Sequence, residues 1–279
     1  MESDSRPANT RAANTKTFFA HCRGRRATRK EAARDRSIAR DYNTARFRRA
    51  RSLIVDVVIP ALDEIHSLPL VLADLPRALV RDVIVVDNGS RDGTGAKAAA
   101  LGCVVIDESR RGYGSACLAG IAHLAAAANP PDLVAFLDAD HSDHAEEIPR
   151  LLAPIVSGRA DIVIGSRALG TREPGALLPQ QRFGNALAAF LIRRLYGVTV
   201  TDLGPFRVIR WDALVRIGMK DRGYGWTAEM QVKALKLGLR YAEVPVSYRR
   251  RAGRSKIAGT LRGTIGAGFK ILYTVFRYA

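Results

Sequence analysis

The sequence predicts an α/β protein: a mostly parallel sheet with helices on both faces. Two observations carry the prediction. Short β-branched runs alternate with helix-like segments from residue 53 onward, and the connectors between them are short. A third observation adds a place for chemistry. Apolar runs stop abruptly in acidic, amide or turn residues, and in such sheets ligands bind beyond the carboxyl ends of the strands.

Taken in order, "LIVDVVIP" (53–60) reads as a buried strand closed by Pro60. "HSLPLVLADLPRAL" is helix-like, shortened by Pro69 and Pro76. "VRDVIVVDNGS" is a second buried strand running into turn residues. "DGTGAKAAALG" opens with turn chemistry, continues as a helix and stops at Gly102. "CVVIDES" is a third strand, and "GYGSACLAGIAHLAAAAN" is a glycine-rich loop entering an alanine-rich helix. "DLVAFLDAD" is a fourth strand, "AEEIPRLLAPIVSG" a helix and "ADIVIGSR" a fifth strand. Beyond residue 170 the pattern loosens. "REPGALLPQQ" reads as a loop. "RFGNALAAFLIRRLYG" is an amphipathic helix with Phe183, Leu187, Phe190, Leu191 and Leu195 at helical spacing. "VTVTDLGPFRVIRWDALVRIG" holds a turn, a strand and a helix. "TAEMQVKALKLG" is a helix ended by Gly238, and "RYAEVPVSY" an edge strand marked by Pro245. The tail "GTLRGTIGAGFKILYTVFRYA" is apolar with interspersed cations, the composition of a helix lying in a membrane interface.

The 279 residues carry a formal charge of +17, unevenly distributed. Residues 1–51 hold 15 Lys and Arg against 5 Asp and Glu, with few apolar residues and no sustained period. This extension is expected to be disordered or loosely helical, as a solvated tail or as an arm for nucleic acid or anionic lipid. The division expected is thus 1–51, a catalytic domain 52–258, and an interfacial tail 259–279. The extension lacks the apolar stretch of a signal peptide, and no uninterrupted 18-residue apolar run occurs to span a bilayer. Three widely spaced cysteines (Cys22, Cys103, Cys117) suit a reducing compartment rather than a disulfide framework or a zinc site. A pure nucleic-acid binder would leave the acids at the strand ends unexplained.

Those acids pose the chemical question. "FLDADHSDHAEEIP" (136–149) ends a greasy strand in Asp138-Ala139-Asp140. Alternation points both carboxylates to one face. At 4 Å and an effective dielectric near 20 they repel by roughly 4 kcal/mol. A cation between them removes that penalty, and Mg²⁺ or Mn²⁺ commonly bridges carboxylate to phosphate. Acid–base work and helix capping remain alternatives for an isolated Asp-x-Asp. Glu64 and Asp87 end two further strands at the same crevice. In "RRGYGSA", Gly112 and Gly114 permit close backbone approach to a donor beside Arg110 and Arg111. There is no Walker loop, and no G-x-G-x-x-G follows the first strand.

"VVIPALDE", "VIVVDNGSRDGT" and "FLDADHSDHAEEI", in this order, resemble the signature of family 2 glycosyltransferases with the GT-A, Rossmann-like fold. "GSR", "TDLGPFRVIRWDAL" and "YAEVPVSYRRRAGRSK" are similar to its polyprenyl-phosphate branch, which includes dolichol-phosphate mannose synthase-like enzymes. The likeness spans roughly residues 54–258. It implies that Pro60, Leu62, Glu64, Asp87 and Asn88 cradle the nucleoside, with Ala139 on the donor side. It implies that Asp138 and Asp140 hold metal and diphosphate, with Ser142 at a third metal-ligand place where a Gln is frequent. Asp63 stands for the usual Asn, Asn88 for the second acid of an Asp-Asp pair, and "DHAE" for His-Pro-Pro-Glu.

The resemblance further implies an inverting transfer from a UDP- or GDP-sugar. A hydroxyl acceptor needs a base, and Glu229 is the candidate; a surface position or a loop-ordering carboxylate are the alternatives. A lipid monophosphate is already largely dianionic near neutrality and needs cations instead. Arg167, Arg182, Arg207, Arg254 and Lys256 are the candidates, within a basic run at 249–256 that could equally be a solvated face. His66, His141 and His144 are expected to be polar surface. The expected setting is the cytoplasmic face of a membrane, with peripheral attachment and an oligomer possible.

Overall fold

The computed structural model describes residues 53–252 and 261–278. The basic extension, Cys22, Arg254 and Lys256 lie outside the described residues. Seven strands form one sheet in the order β3-β2-β1-β4-β6-β5-β7. They are β1 (Val55–Ala61), β2 (Val83–Asp87), β3 (Val104–Asp107), β4 (Leu133–Phe136), β5 (Ile162–Ser166), β6 (Arg207–Arg210) and β7 (Tyr241–Pro245). The helices are α1 (Leu68–Asp74), α2 (Thr94–Ala100), α3 (Tyr113–Ala126), α4 (Ile148–Val156), α5 (Pro179–Tyr196), α6 (Trp211–Ile217), α7 (Trp226–Lys236) and α8 (Leu261–Arg277).

The pairings β1·β2, β1·β4, β2·β3 and β5·β7 are parallel. Only β6, between β4 and β5, runs against its neighbours. β7 lies at an edge, where Pro245 removes no ladder bond from a second neighbour. Alternate residues of β1 feed two apolar layers, which is why the strand reads as a continuous hydrophobic run. Val57 and Ile59 join Val85, Ala135 and Leu151 on the side covered by α1 and α4. Val58 joins Ile84, Phe136 and Trp226 on the side covered by α3, α6 and α7. Trp226 is fully buried, edge-on to Phe136 at 4.9 Å and to Tyr113 at 5.9 Å. Burial of a side chain such as Phe136 or Leu151 contributes about 1.5–3 kcal/mol.

One expectation needs correction. α5 begins at Pro179, inside the stretch read as loop: proline suits the first helical turn, and the Leu178 N–H donates to Gln181 Oε1 at 2.9 Å. The apolar positions of α5 do not share one environment: Leu187 and Leu191 are half-buried, Leu191 against the third apolar cluster. Ala188, Ala189 and Ile192 are buried, whereas Phe183, Phe190 and Leu195 are exposed. The small residues permit close packing against α7 and α8, in a third apolar cluster with Val232 and Val275.

Because every strand of the sheet but β6 shares one direction, the ends of β1, β2, β4 and β5 open onto the same edge of the sheet. Antiparallel β6 starts there too: Arg207 is in register with Phe136 and Ile164.

Candidate active site

The first wall of the crevice is built from polar groups that satisfy one another. Asn88 donates through Nδ2 to the carbonyls of Glu108 and Arg110, both at 2.8 Å, and its Oδ1 accepts from the Gly112 N–H at 2.8 Å. Asp87 accepts from the N–H of Ser90 at 2.7 Å and of Gly95 at 3.1 Å, closing the turn into α2. Asp63, in the left-handed region at φ 51°, accepts from Arg91 N–H at 2.7 Å. The Glu64 N–H donates to Thr94 Oγ1 at 2.8 Å, and the Glu64 carboxylate accepts from Ser67. Pro60 and Leu62 are half-buried beside them. These residues shape the rim through their own bonds, and the sequence alone did not reveal that.

Gly112 and Gly114 do permit a close approach, but of protein. A Cβ at Gly112 would lie 2.2 Å from the Arg222 carbonyl oxygen, and one at Gly114 2.1 Å from that of Asp221. The Ser115 N–H donates to Arg222 O at 3.0 Å. The 221–223 loop is thus docked on the start of α3, in the room expected for donor.

The second wall is acidic. Asp138 is partly exposed at the crevice, yet its Oδ1 is enclosed and has no hydrogen-bond partner. Burial and the neighbouring Asp140 raise its carboxyl to about 7, against the pull of Arg251. Asp140 is buried; its Oδ1 accepts from Ser142 N–H at 2.9 Å and its Oδ2 pairs with Arg251 at 3.1 Å. The Ser142 hydroxyl is enclosed and unpartnered, and Ala139 is buried between the aspartates. Asp143, which sequence reasoning passed over, is 1% exposed with neither carboxylate oxygen bonded. Burial and then the Asp138 charge push it well above the carboxylate range, with Arg167 opposing. Its signal was in the string, a third acid within six residues. Its burial was not.

Orphaned buried oxygens at Asp138 and Ser142, beside the Asp140 carboxylate held by one backbone N–H and one guanidinium, fit a hard divalent cation. Among the described residues, no three His, Cys, Asp or Glu form a complete cage. Such a cation would therefore complete its shell from solvent or a bound phosphate.

Of the basic run, residues 249–252 are described; Arg250 is exposed, while Arg249 and Arg251 are half-buried against the acids. Arg249 N–H donates to Ser142 O and Ala252 N–H to Asp140 O, both at 3.0 Å, so residues 249–252 lie along the acidic loop. Arg249 also pairs with Asp74 at 2.6 Å, and His141 with Asp74 at 2.9 Å. His144 bonds Glu146 at 2.8 Å, while His66 is exposed. Arg167 makes a two-pronged pair with Asp202, at 2.8 and 2.6 Å, and lies 5.1 Å over the Tyr248 ring. Arg207 corrects the expectation that it faces a phosphate. It is fully buried, 5.6 Å from Trp226, and donates to the carbonyls of Thr227 and Gly204. Arg182 is exposed and lines a cavity of about 430 Å³ with Arg172, Asn185, Phe183, Leu177 and Asp202.

Glu229 lies away from that cavity's lining. It is fully buried and accepts from the N–H groups of Lys220 (3.0 Å) and Asp221 (2.6 Å) and from the Tyr278 hydroxyl (2.9 Å). Lys233 pairs with it at 2.6 Å. Burial works to raise its carboxyl, but Lys233 and the backbone donors outweigh that and hold it below the ordinary range. Of the alternatives read from sequence, the bonds match a carboxylate that orders the 220–223 loop.

Residues 56–218 match the family model for glycosyl transferase family 2. An uncharacterized glycosyltransferase of Mycobacterium tuberculosis is 41% identical over 214 residues, covering 76% of this chain and 93% of that protein. The undecaprenyl-phosphate mannosyltransferase of Micrococcus luteus is 35% identical, covering 74% and 88%. The polyprenol monophosphomannose synthase of Mycolicibacterium smegmatis is 32% identical, covering 73% and 81%. In fold, the chain is similar to glucosyl-3-phosphoglycerate synthase from M. tuberculosis in complex with Mn²⁺, UDP-glucose and phosphoglyceric acid. The TM-score is 0.66 at 23% identity, covering 85% and 84%.

Proposed function

This chain belongs to glycosyl transferase family 2 and is a nucleotide-sugar glycosyltransferase of GT-A-like fold, and from that premise we propose that it transfers a sugar, with inversion, from a UDP- or GDP-sugar to a polyprenyl phosphate. One observation carries the acceptor. The cavity is linked to the acidic loop by Tyr248, which bridges Arg172 in its lining to Asp143. It is lined by Arg172 and Arg182, by apolar side chains and by Asn185 and Thr201, and its one acid, Asp202, is occupied by Arg167. A hydroxyl acceptor would need a free base there. A phosphate monoester needs none, since its second pKa is about 6 and its own oxygen is the nucleophile. Relatives named for undecaprenyl and polyprenol phosphates support the same acceptor.

The residues divide the task. The rim formed by Pro60, Leu62, Glu64, Asp87 and Asn88 receives the nucleoside. Asp138, Asp140 and Ser142 would hold Mg²⁺ or Mn²⁺, which when bound neutralises the departing diphosphate. Arg251, paired with Asp140, is placed to share that charge. Arg182 and Arg172 hold the acceptor phosphate in the cavity. Arg167 acts by positioning: its pair with Asp202 fixes the wall between acids and cavity.

The test is product partition. Incubation with labelled UDP- or GDP-sugar, polyprenyl phosphate and Mn²⁺ is expected to put label into the organic phase, and Asp140→Asn to abolish it. Label that persists in the variant without metal, or passes only to aqueous phosphoglyceric acid, would overturn the proposal.

A further inference from the structure

Two helices turn large apolar side chains away from the core. On α5, Phe183 is 71% and Phe190 52% exposed. Seven residues apart, they share one face of the helix. On α8, Thr274 and Val275 are buried, whereas Phe269 is 70%, Tyr273 46% and Phe276 56% exposed. The Phe269 and Tyr273 rings stack at 6.5 Å. α5 and α8 meet α7 in one apolar cluster, so both outward faces turn away from α7.

The charge on these helices has one sign. Neither α5 nor α8 contains Asp or Glu. Arg182, Arg193 and Arg194 belong to α5, and Lys270 and Arg277 to α8. Arg193 lies 5.8 Å from the Phe190 ring and Arg277 5.9 Å from that of Tyr273, so cation and ring are presented together. Lys270 pairs with Asp221 at 3.0 Å, but Arg193 and Arg277 meet no acid among the described ion pairs. Aromatic rings flanked by such cations match the boundary between anionic headgroups and acyl chains. A second copy of the same face would set cation against cation. No described helix is long and apolar enough to cross a membrane, so these would lie on its surface. Arg182 and Phe183, at the start of the α5 face, also line the 430 Å³ cavity.

We infer that the outward faces of α5 and α8 form one docking surface for an anionic bilayer, with Phe183, Phe190, Phe269, Tyr273 and Phe276 entering the interface. The surface sets the cavity mouth at the depth of a lipid phosphate. That last point rests on the proposed acceptor; the docking itself does not.

The experiment uses the full chain and vesicles of phosphatidylcholine, with or without phosphatidylglycerol, carrying brominated acyl chains. Phe190→Trp and Phe269→Trp should each be quenched by anionic vesicles, while Leu101→Trp, exposed at the end of α2, should show no more quenching than wild type. The double variant Phe190→Ser/Phe276→Ser should lose about tenfold in vesicle affinity with unchanged melting, since both side chains are exposed. It should retain sugar transfer to polyprenyl phosphate in detergent. Equal quenching at all three positions would overturn the surface. So would a wild-type dimer that the double serine variant dissociates without change in vesicle binding. Position-specific quenching in an enzyme that transfers nothing to polyprenyl phosphate would uphold the surface and overturn the acceptor.

Discussion

The two sides of the crevice are held by different forces. The β1–β2 side is closed by short neutral and charge-assisted hydrogen bonds among Asn88, Asp87, Asp63, Thr94 and the backbone. The side formed by β5, α5 and the 248–252 segment is held by ion pairs and leaves Arg182 and the α5 aromatics exposed. A satisfied network is rigid and suits a ligand that is always the same, a nucleotide. Exposed cations and rings are complete only with an external partner. The difference teaches where to look for each substrate, and it can be broken at either side.

The largest effect belongs to the acids between the two sides. Asp140→Asn is expected to lower transfer by about a hundredfold or more, on the scale of losing one charge-stabilising group. Glu229→Gln comes next. It weakens acceptors for the Lys220 and Asp221 N–H groups and the charge facing Lys233, lowering stability by about 2 kcal/mol. Denaturant unfolding reads this directly, and a raised KM for donor should accompany it through the 221–223 loop. Loss of kcat with unaltered stability and KM would instead return Glu229 to the role of base. Arg182→Gln follows, with about a tenfold rise in KM for polyprenyl phosphate from one lost charge-assisted bond.

The smallest effect is a pH dependence. The Asp138 carboxyl sits near 7 in the folded chain against an ordinary 3.8, so the folded state binds the extra proton. Its contribution to stability is full below about pH 4 and lost as pH rises through about 7. In chelator, melting temperature should therefore fall over that window, and Asp138→Asn should flatten the fall. Added Mn²⁺ competes with the proton, so its stabilisation should grow with pH.

Much of this was legible in the chain. β1, β2 and β5 showed as β-branched runs, because parallel strands buried on both faces need no alternation, and β7 showed as an edge strand through Pro245. The Asp138–Asp140 pair showed because acids at a strand end are conspicuous. What was illegible is set by distant partners. Gly112 and Gly114 announce a close approach without saying whose, and the Asp221–Arg222 backbone comes from over a hundred residues away. Arg207 reads like any phosphate-binding arginine until β6 inserts antiparallel and turns it onto carbonyls. The α5 periodicity reports that a helix has two faces, not which one is covered, so the exposure of Phe183, Phe190 and Leu195 was not legible.

Calorimetric titration of UDP and GDP in the presence of Mn²⁺ tests the division between the two sides most directly. For one nucleotide, wild type and Arg182→Gln should bind within about twofold of each other, and Asp140→Asn should lose the metal-dependent binding. Nucleotide binding that survives Asp140→Asn but fails in Arg182→Gln would contradict it.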